Sequence, residues 1–210
     1  MSGRDTVLAA GLSAFSRWGY HGTSIRAIAR ESGHSLSVLY HYFASKDALF
    51  HEIVRLSADT YFEMCGSHLE SVGAAPTDRL RALIDATVEH RIERRAEARL
   101  LASEMHVLPD DLRESVIAGW RQASRVWDEI IADGLKSGDF TTLYPHEARR
   151  GIVAMCNATR EWFYPDESTS ISDMVERLYE LSLGLLGSTA QKAGTKGIPV
   201  ETQVSRERTS

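Results

Sequence analysis

The sequence predicts an all-α protein of about nine helices. Apolar residues recur every three or four positions along most of the 210-residue chain, which is the spacing that places them on one face of a helix. Only five prolines interrupt the chain, and we find no run in which apolar and polar residues alternate as in a half-buried strand. A hydrophobic fraction of 43% with 25% charged residues is typical of a globular protein, which excludes a fibrous repeat or a wholly disordered chain.

Three helices are predicted before residue 45, each bounded by residues that start or end helices. A serine or threonine hydroxyl accepts a hydrogen bond from a free N–H group at a helix start, and Thr23 or Ser24, followed by Ser35, can serve in this way. Glycine permits the left-handed conformation that ends a helix, as predicted for Gly19 and Gly33. The predicted helices span residues 5–19, 24–32 and 35–43.

The remaining helices form a longer second region. Ser45 can cap a long helix, Pro109 and Pro145 lie where a helix can begin, and Ser170 can cap the last one. The predicted helices span residues 46–69, 78–101 (as one or two helices), 109–138, 145–164 and 171–185. We therefore expect a head over residues 1–50, a body over 51–187, and a tail without regular structure over 188–210.

The charge distribution and the cysteines limit the class of protein. The net charge is -5, but residues 1–50 carry +2 and the rest -7, so a mildly basic head precedes an acidic body. No apolar stretch approaches the roughly 20 residues of a membrane span, and no secretory signal opens the chain. Cys65 and Cys156 lack metal-ligand spacing. We expect a cytoplasmic protein that uses no membrane, metal or cofactor.

Residues 23–43 have the plan of a helix-turn-helix, in which one helix braces a second that lies in the major groove of DNA. Apolar residues at helical spacing can lock the two helices together: Ile25, Ile28, Ala29, Leu39 and Phe43. Hydroxyl groups and an ammonium group can donate hydrogen bonds to phosphates. The candidates for that role are Thr23, Ser24, Tyr40, Tyr42 and Lys46.

The segment GTSIRAIARESGHSLSVLYHYFASKDALF resembles the DNA-binding signature of the tetracycline-repressor (TetR) family of bacterial transcription factors, over about residues 7–53. The resemblance implies that Thr23, Ser24, Tyr40, Tyr42 and Lys46 contact phosphates. It also implies that Arg26, Leu36, Ser37, Val38 and His41 face base edges or the groove wall, and Ser35 is assigned to the same DNA-binding surface. Leu36 and Val38 stand where polar or small residues are more usual, so few polar base contacts are expected.

The resemblance further implies a body that binds a small molecule and dimerises through its last two helices. Residues 158–166 resemble the branch of the family that senses acyl-coenzyme A thioesters, although Tyr164 stands where that branch usually has arginine; Arg160 is then the expected anion partner. The expected ligand-binding residues are Phe62, His90, Arg94, Trp120, Trp127, Met155, Thr159, Arg160 and Trp162. The expected dimer residues are Ile152, Met155, Phe163, Met174, Leu178, Leu181 and Leu185.

Each of these assignments has an alternative. The aromatic residues and both apolar stripes can equally fill the core of a single chain. The charged run over residues 90–99 is interpreted as a solvated face of alternating charge rather than a phosphate site. Residues 33–37 approach the G-x-S-x-G motif of esterases, so a hydrolase that uses Ser35 is one rival, although that motif requires a preceding strand. A helical interaction module that binds no DNA is the other.

The function that these features predict is a ligand-controlled transcriptional regulator that is not an enzyme. We expect a homodimer that represses by binding a palindromic double-stranded operator, because two heads can read half-sites in adjacent major grooves. A small hydrophobic effector, such as an acyl-coenzyme A or a related molecule, is expected to lower the affinity for DNA by favouring the other conformation.

Overall fold

A computed structural model describes residues 2–188, and within them the secondary structure is nine α-helices and one short 3-10 helix, without a strand. The all-α prediction is therefore confirmed. The helices are α1 (Gly3–Gly22), α2 (Ile25–Glu31), α3 (Leu36–Tyr42), α4 (Lys46–Glu70), α5 (Pro76–Glu93), α6 (Arg95–Glu104), α7 (Asp110–Ser137), α8 (Pro145–Trp162) and α9 (Ile171–Leu186), with the 3-10 helix at Met105–Val107. The predicted tail, apart from Ser188, lies outside the described residues.

Most predicted helix ends lie within two residues of the observed ends, and two segments need comment. Helix α1 continues to Gly22 beyond a break at Gly19, whose φ of 67° lies in the left-handed region. The predicted segment 78–101 is two helices, because the backbone of Arg94 leaves helical geometry (φ -107°, ψ 36°) between α5 and α6. None of the described helices is long and apolar enough to cross a membrane.

The head is built from α1, α2, α3 and the first half of α4 around one apolar cluster. Phe15, Ile28, Leu39 and Phe50 are at most 1% exposed within it. The cluster also includes Leu100 of α6 and two residues farther along the chain, Leu108 and Val116. Packing around the head therefore crosses the boundary predicted at residue 50.

The body packs around α5, which contacts α4, α7, α8 and α9. Its core joins Ile84 of α5 to Ile130 of α7 and Ile152 of α8, all three fully buried. After α7 the chain reverses so tightly that the ring of Phe140 lies on Gly134, where any Cβ would overlap it. The close approach of this turn to α7 fixes the start of α8 against the rest of the bundle.

Candidate functional site

The turn between α2 and α3 is specified by three residues. Ser24 Oγ accepts a hydrogen bond from Ala27 N (3.1 Å), and Ser35 Oγ accepts one from Val38 N (3.2 Å), so both serines cap their helices. Gly33 has a φ of 71°, which lets the chain turn between the two caps. Each capping hydroxyl keeps its own hydrogen to donate, because the cap uses only an oxygen lone pair.

Helix α3 buries one side and presents the other to solvent. Leu39 is fully buried beneath it. Ser37 and His41 are exposed, and Val38, Tyr40 and Tyr42 are 36%, 47% and 37% exposed. Arg26 on α2 is also exposed, as are the capping serines. Most of the sequence-predicted DNA-binding residues are therefore accessible on α2, α3 and their caps.

Two of the predicted DNA-binding residues are withdrawn from solvent to different degrees. Thr23 is only 3% exposed, and its hydroxyl lies 2.7 Å from the carbonyl oxygen of Gly19 and 3.1 Å from that of Ala14. Leu36 is partly buried and packs against the apolar cluster of the head. Thr23 lies between α1 and α2 and its hydroxyl is used inside the head, whereas Leu36 on α3 keeps part of its surface exposed.

Lys46 lies at the start of α4 and is half-buried. Its Nζ donates to the carbonyl oxygens of Tyr20 (2.9 Å) and Thr23 (3.1 Å) and lies 4.1 Å from the centre of the Tyr20 ring. Two of its three donors are therefore used inside the head, which leaves one for a phosphate.

Ser35 does not lie in the setting of an esterase nucleophile. A nucleophile elbow follows a strand and precedes a helix. Here α2 precedes the turn, and the Ser35 oxygen is used as the N-cap of α3. The local structure accounts for Ser35 as a helix cap.

A cavity of about 440 Å³ opens in the body among α4, α5, α6, α7 and α8. Five of the nine residues predicted to bind ligand line it: Phe62, His90, Trp120, Trp127 and Arg160. Its volume lies within the ~300–1,000 Å³ range of small-molecule pockets. The aromatic residues that the sequence suggested as pocket or core therefore serve partly as cavity wall.

The other four predicted ligand-binding residues lie elsewhere, and their assignment is corrected. Thr159 is fully buried and its hydroxyl donates to the Cys156 carbonyl oxygen, while Met155 packs against the core of the body. Arg94 is exposed near Glu97, and Trp162 is 57% exposed at the end of α8. Each of these residues lies on or next to a helix that lines the cavity, but its side chain lies on another face of that helix or beyond the helix end.

Arg91 is the pocket residue that sequence reasoning missed. The alternating charges of residues 90–99 indicated a solvated face, and that interpretation is wrong for Arg91, which is partly buried and lines the cavity. Its Nε donates to Asn157 Oδ1 (2.7 Å), and its Cζ lies 4.7 Å from the centre of the Tyr61 ring. The apolar neighbour Ile92 gave no signal that would separate Arg91 from the exposed arginines that follow.

His90 completes the polar end of the cavity. Arg91 Nη1 lies 2.7 Å from His90 Nδ1, and because a guanidinium can only donate, Nδ1 accepts and the ring is neutral. Burial, reinforced by the positive charge of Arg91, lowers the pKa of His90 to about 4. Burial also lowers the pKa of Arg91. Ser57 Oγ and His90 Nε2 are buried without a hydrogen-bond partner among the described residues.

Six of the seven predicted dimer residues divide into two groups, and the seventh, Met155, is half-buried against the core of the body. Ile152, Phe163, Met174 and Leu178 are at most 5% exposed in the single chain, so they belong to its own core. Their stripes close the core of the body, which is the alternative that the sequence left open. Leu181 and Leu185 are 57% and 45% exposed.

One cluster of potential metal ligands lies apart from the cavity lining. The ligating atoms of His68, Asp85 and Glu89 lie within 4.8 Å of one another between α4 and α5. His68 Nε2 is 3.2 Å from Glu89 Oε2, and His68 Nδ1 is 2.9 Å from the Met64 carbonyl oxygen. An ion pair between two packed helices accounts for this arrangement.

Helix α6 connects the cavity to the head. Ala98, Leu101 and Ala102 line the cavity, while the same helix packs against α1. At the end of α6, Glu104 Oε1 accepts a hydrogen bond from Tyr20 N (3.4 Å). A change in the shape of the cavity can therefore reach the head through one helix.

Two family profiles match the chain. Residues 7–53 match the profile described as "Bacterial regulatory proteins, tetR family", and residues 73–186 match "Tetracyclin repressor-like, C-terminal domain". The first match covers the helix-turn-helix, and the second covers most of the helices that enclose the cavity.

Relatives and solved structures agree with these matches. The transcriptional repressor KstR2 of Mycobacterium tuberculosis is 29% identical over 140 residues, which are 66% of this chain and 70% of KstR2. A TetR-family regulator from Bordetella parapertussis has a similar structure, with a TM-score of 0.76, 28% identity, and coverage of 86% of this chain and 93% of that one. The fold also resembles AibR bound to isovaleryl coenzyme A and operator DNA, with a TM-score of 0.73, 21% identity, and coverage of 88% and 98%.

Proposed function

The chain belongs to the TetR family of bacterial regulatory proteins, and we propose that it represses transcription as a homodimer on a palindromic operator until a small hydrophobic effector releases it. In this proposal residues 1–50 form the DNA-binding head and residues 51–187 form the effector-binding and dimerisation body. The observation that carries the proposal is the exposed side of α3, which is held over a buried Leu39.

The exposed side of the helix-turn-helix has the chemistry of a DNA-binding surface. Ser24, Tyr40 and Tyr42 offer hydroxyl donors to phosphates. The remaining Nζ–H donor of Lys46 belongs to a residue at the start of a helix, where anions are favoured. The groups available to read bases are Arg26, Ser37, Val38 and His41, with Ser35 at the start of α3. Arg26 can hydrogen-bond a guanine through two donors, a contact that contributes about 1–3 kcal/mol of discrimination.

Dimerisation is supported by an apolar surface that the single chain leaves open. Leu181 and Leu185 of α9 are exposed, and a methyl group added at Gly151 of α8 would contact Leu185, so the two helices share one outward face. Met155 of α8 is half-buried and remains a candidate. Two such helices from each protomer can form a four-helix interface, which places the two heads on adjacent half-sites.

Coupling between effector and DNA is supported by α6, which is both cavity wall and a packing partner of α1. An effector that fits the cavity better in one position of α6 favours the head orientation that goes with it. If the distance between the two heads in that orientation no longer matches the distance between half-sites, the effector weakens operator binding. The size of the loss is set by the difference in the effector's affinity for the two conformations. Acyl-coenzyme A thioesters are one effector class to test, since the fold neighbour AibR was solved with isovaleryl coenzyme A.

The experiment is selection of bound sequences from a random double-stranded DNA pool at two salt concentrations. We expect enrichment of a palindrome, with an affinity that falls steeply as salt rises because phosphate contacts release counterions. Replacement of Tyr40, 47% exposed on α3, by alanine should lower the affinity for the selected operator about tenfold.

The matched control is Tyr144→Ala, because Tyr144 is 68% exposed on the body and should not touch DNA. The absence of an enriched sequence at either salt concentration would contradict the proposal. Equal losses in the Tyr40→Ala and Tyr144→Ala variants would contradict the assignment of α3 as the DNA-binding helix.

A further inference from the structure

Arg91 is a partly buried cation for which the described residues provide no carboxylate partner. Its hydrogen-bond partners are the amide oxygen of Asn157 and the ring nitrogen of His90, and it lies over the ring of Tyr61. All three partners are neutral. Removal of a charge from water is costly unless an opposite charge compensates it, so an anion that joins this arrangement stabilises it.

A second cation strengthens the positive potential in the cavity. Arg160 also lines it, and its charge contributes to the lowered pKa of Arg91. Arg160 donates to Glu161 Oε1 (2.9 Å) and to the Asn157 carbonyl oxygen (3.2 Å). No aspartate or glutamate lines the cavity in the described part of the chain, and Glu161 lies outside it.

The rest of the cavity is suited to an apolar molecule of moderate size. Phe62, Trp120 and Trp127 supply aromatic wall, and Leu101 and Val153 supply aliphatic wall. A volume of about 440 Å³ corresponds to about 15 water molecules at their volume in the liquid, so the cavity accepts a ligand on the order of 15 non-hydrogen atoms.

We infer that the effector is a hydrophobic small molecule with a single carboxylate that binds Arg91, with its apolar part among the aromatic side chains. This inference deepens the proposed function and rests on it in taking the cavity as the effector site. The guanidinium can donate to carboxylate oxygens. The Asn157 amide nitrogen is a second donor, because its oxygen already accepts from Arg91. An uncharged derivative of the same acid, such as its amide, would leave the positive charge of Arg91 uncompensated.

The test compares acids with neutral molecules of matched shape. The probes are biphenyl-4-carboxylate with biphenyl-4-carboxamide, and decanoate with decanamide, titrated into the full chain by calorimetry at neutral pH. We expect the better acid to bind at least about tenfold more tightly than its amide, since hydrogen bonds to a charged partner are the stronger ones. The N-acetylcysteamine thioester of that acid, which has the thioester group without the phosphates of coenzyme A, is the third arm, and it should bind more weakly than the free acid.

Two replacements of Arg91 assign the effect. Arg91→Met, which removes the charge and keeps the length, should weaken acid binding about tenfold or more and leave amide binding unchanged. Arg91→Lys, which keeps the charge, should retain most of the preference for the acid and serves if the methionine variant does not fold. The matched control is Arg94→Met, because Arg94 is an exposed arginine three residues away that does not line this cavity.

The inference is overturned if neither acid binds, if the amide or the thioester binds as tightly as the acid, or if Arg91→Met leaves acid affinity unchanged. Its failure is distinguishable from failure of the proposed function, because calorimetry needs no DNA. Operator release by the amide as readily as by the acid would leave the proposed function standing without the inference. Acid binding through Arg91 without any operator release would overturn the identification of the acid as the effector, even though the cavity binds carboxylates.

Discussion

Lys46 in the head and Arg91 in the body are both withdrawn from water and both lie against a tyrosine ring, yet their partners differ in kind. Lys46 donates to two backbone carbonyl oxygens near the end of α1, where the helix dipole also favours a cation. Arg91 is held by an amide and an imidazole on cavity-lining side chains. A cation whose hydrogen bonds go to backbone carbonyl oxygens stabilises the fold. A cation at a cavity whose partners are all neutral side chains can bind a ligand anion.

The largest expected change in stability tests whether α6 belongs to the head or to the body. Leu100 lies on α6 but is 3% exposed within the apolar cluster of the head. Leu100→Ala should lower the free energy of unfolding by about 2–5 kcal/mol, and the loss should fall on the head. Amide hydrogen exchange would show reduced protection in α1, α2 and α3.

The control for Leu100 is Leu183→Ala, because Leu183 is 7% exposed in the cluster of the body. It should destabilise the body and leave protection in α2 and α3 unchanged. If the two variants change exchange in the same helices, α6 does not belong to the head, and the two regions are not separate in energetic terms.

A second prediction tests whether Lys46 stabilises the fold of the head in the absence of DNA. Lys46→Met should lower the free energy of unfolding by about 2 kcal/mol in the absence of DNA, since it removes two charge-assisted hydrogen bonds and leaves two carbonyl oxygens without their partner. Urea denaturation measures the loss. Unchanged stability together with lost operator affinity would mean that Lys46 serves DNA alone.

A third effect, of about 1–2 kcal/mol, follows from the lowered pKa of His90. The unfolded chain binds a proton at His90 as the pH falls through 6.5, whereas the folded chain does so only near pH 4, so stability decreases as the pH falls across that window. Glu52, whose pKa is lowered from 4.5 to about 2 by its hydrogen bond with Arg55, adds its own loss mainly below pH 4.5. Most of the change between pH 6.5 and 4.5 therefore comes from His90 rather than from Glu52.

Thermal unfolding across that pH interval provides the measurement. His90→Gln keeps an acceptor for Arg91 and should flatten the dependence of stability on pH. The matched variant is His106→Gln, since His106 is exposed. An equal slope in the wild-type chain and in His90→Gln would contradict the assignment.

The same comparison explains what the sequence could predict. The caps at Ser24 and Ser35 and the turn at Gly33 are local features, so residue type and spacing suffice to predict the helix-turn-helix. The burial of Thr23 and the packing of Leu36 are not local features, because they depend on residues elsewhere in the head. Arg91 donates a hydrogen bond to Asn157, 66 positions later in the chain, and the charges near Arg91 in the sequence do not predict that contact.

The residues of a dimer interface are hard to predict from sequence for a related reason. An apolar stripe such as that of Ile152 and Met174 identifies a buried face, but it does not say whether the same chain or a second copy covers it. In a single-chain bundle the widest stripe closes the bundle first. Exposed residues beside that stripe, such as Leu181 and Leu185, can be recognised only once the rotation of each helix is known.

The smallest effect tests how local the head is. Ser35→Ala removes the N-cap of a seven-residue helix and should cost about 1 kcal/mol of stability, measured by urea denaturation without DNA. Ser37→Ala is the control, because Ser37 is exposed on the same helix and does not form its N-cap. Equal stability of the two variants would mean that packing over Leu39, rather than the cap, fixes α3. A loss confined to Ser35→Ala would show that a local hydrogen bond stabilises the DNA-binding helix. Local bonds of this kind can be predicted from sequence, whereas the cavity depends on contacts between residues that are distant in the chain.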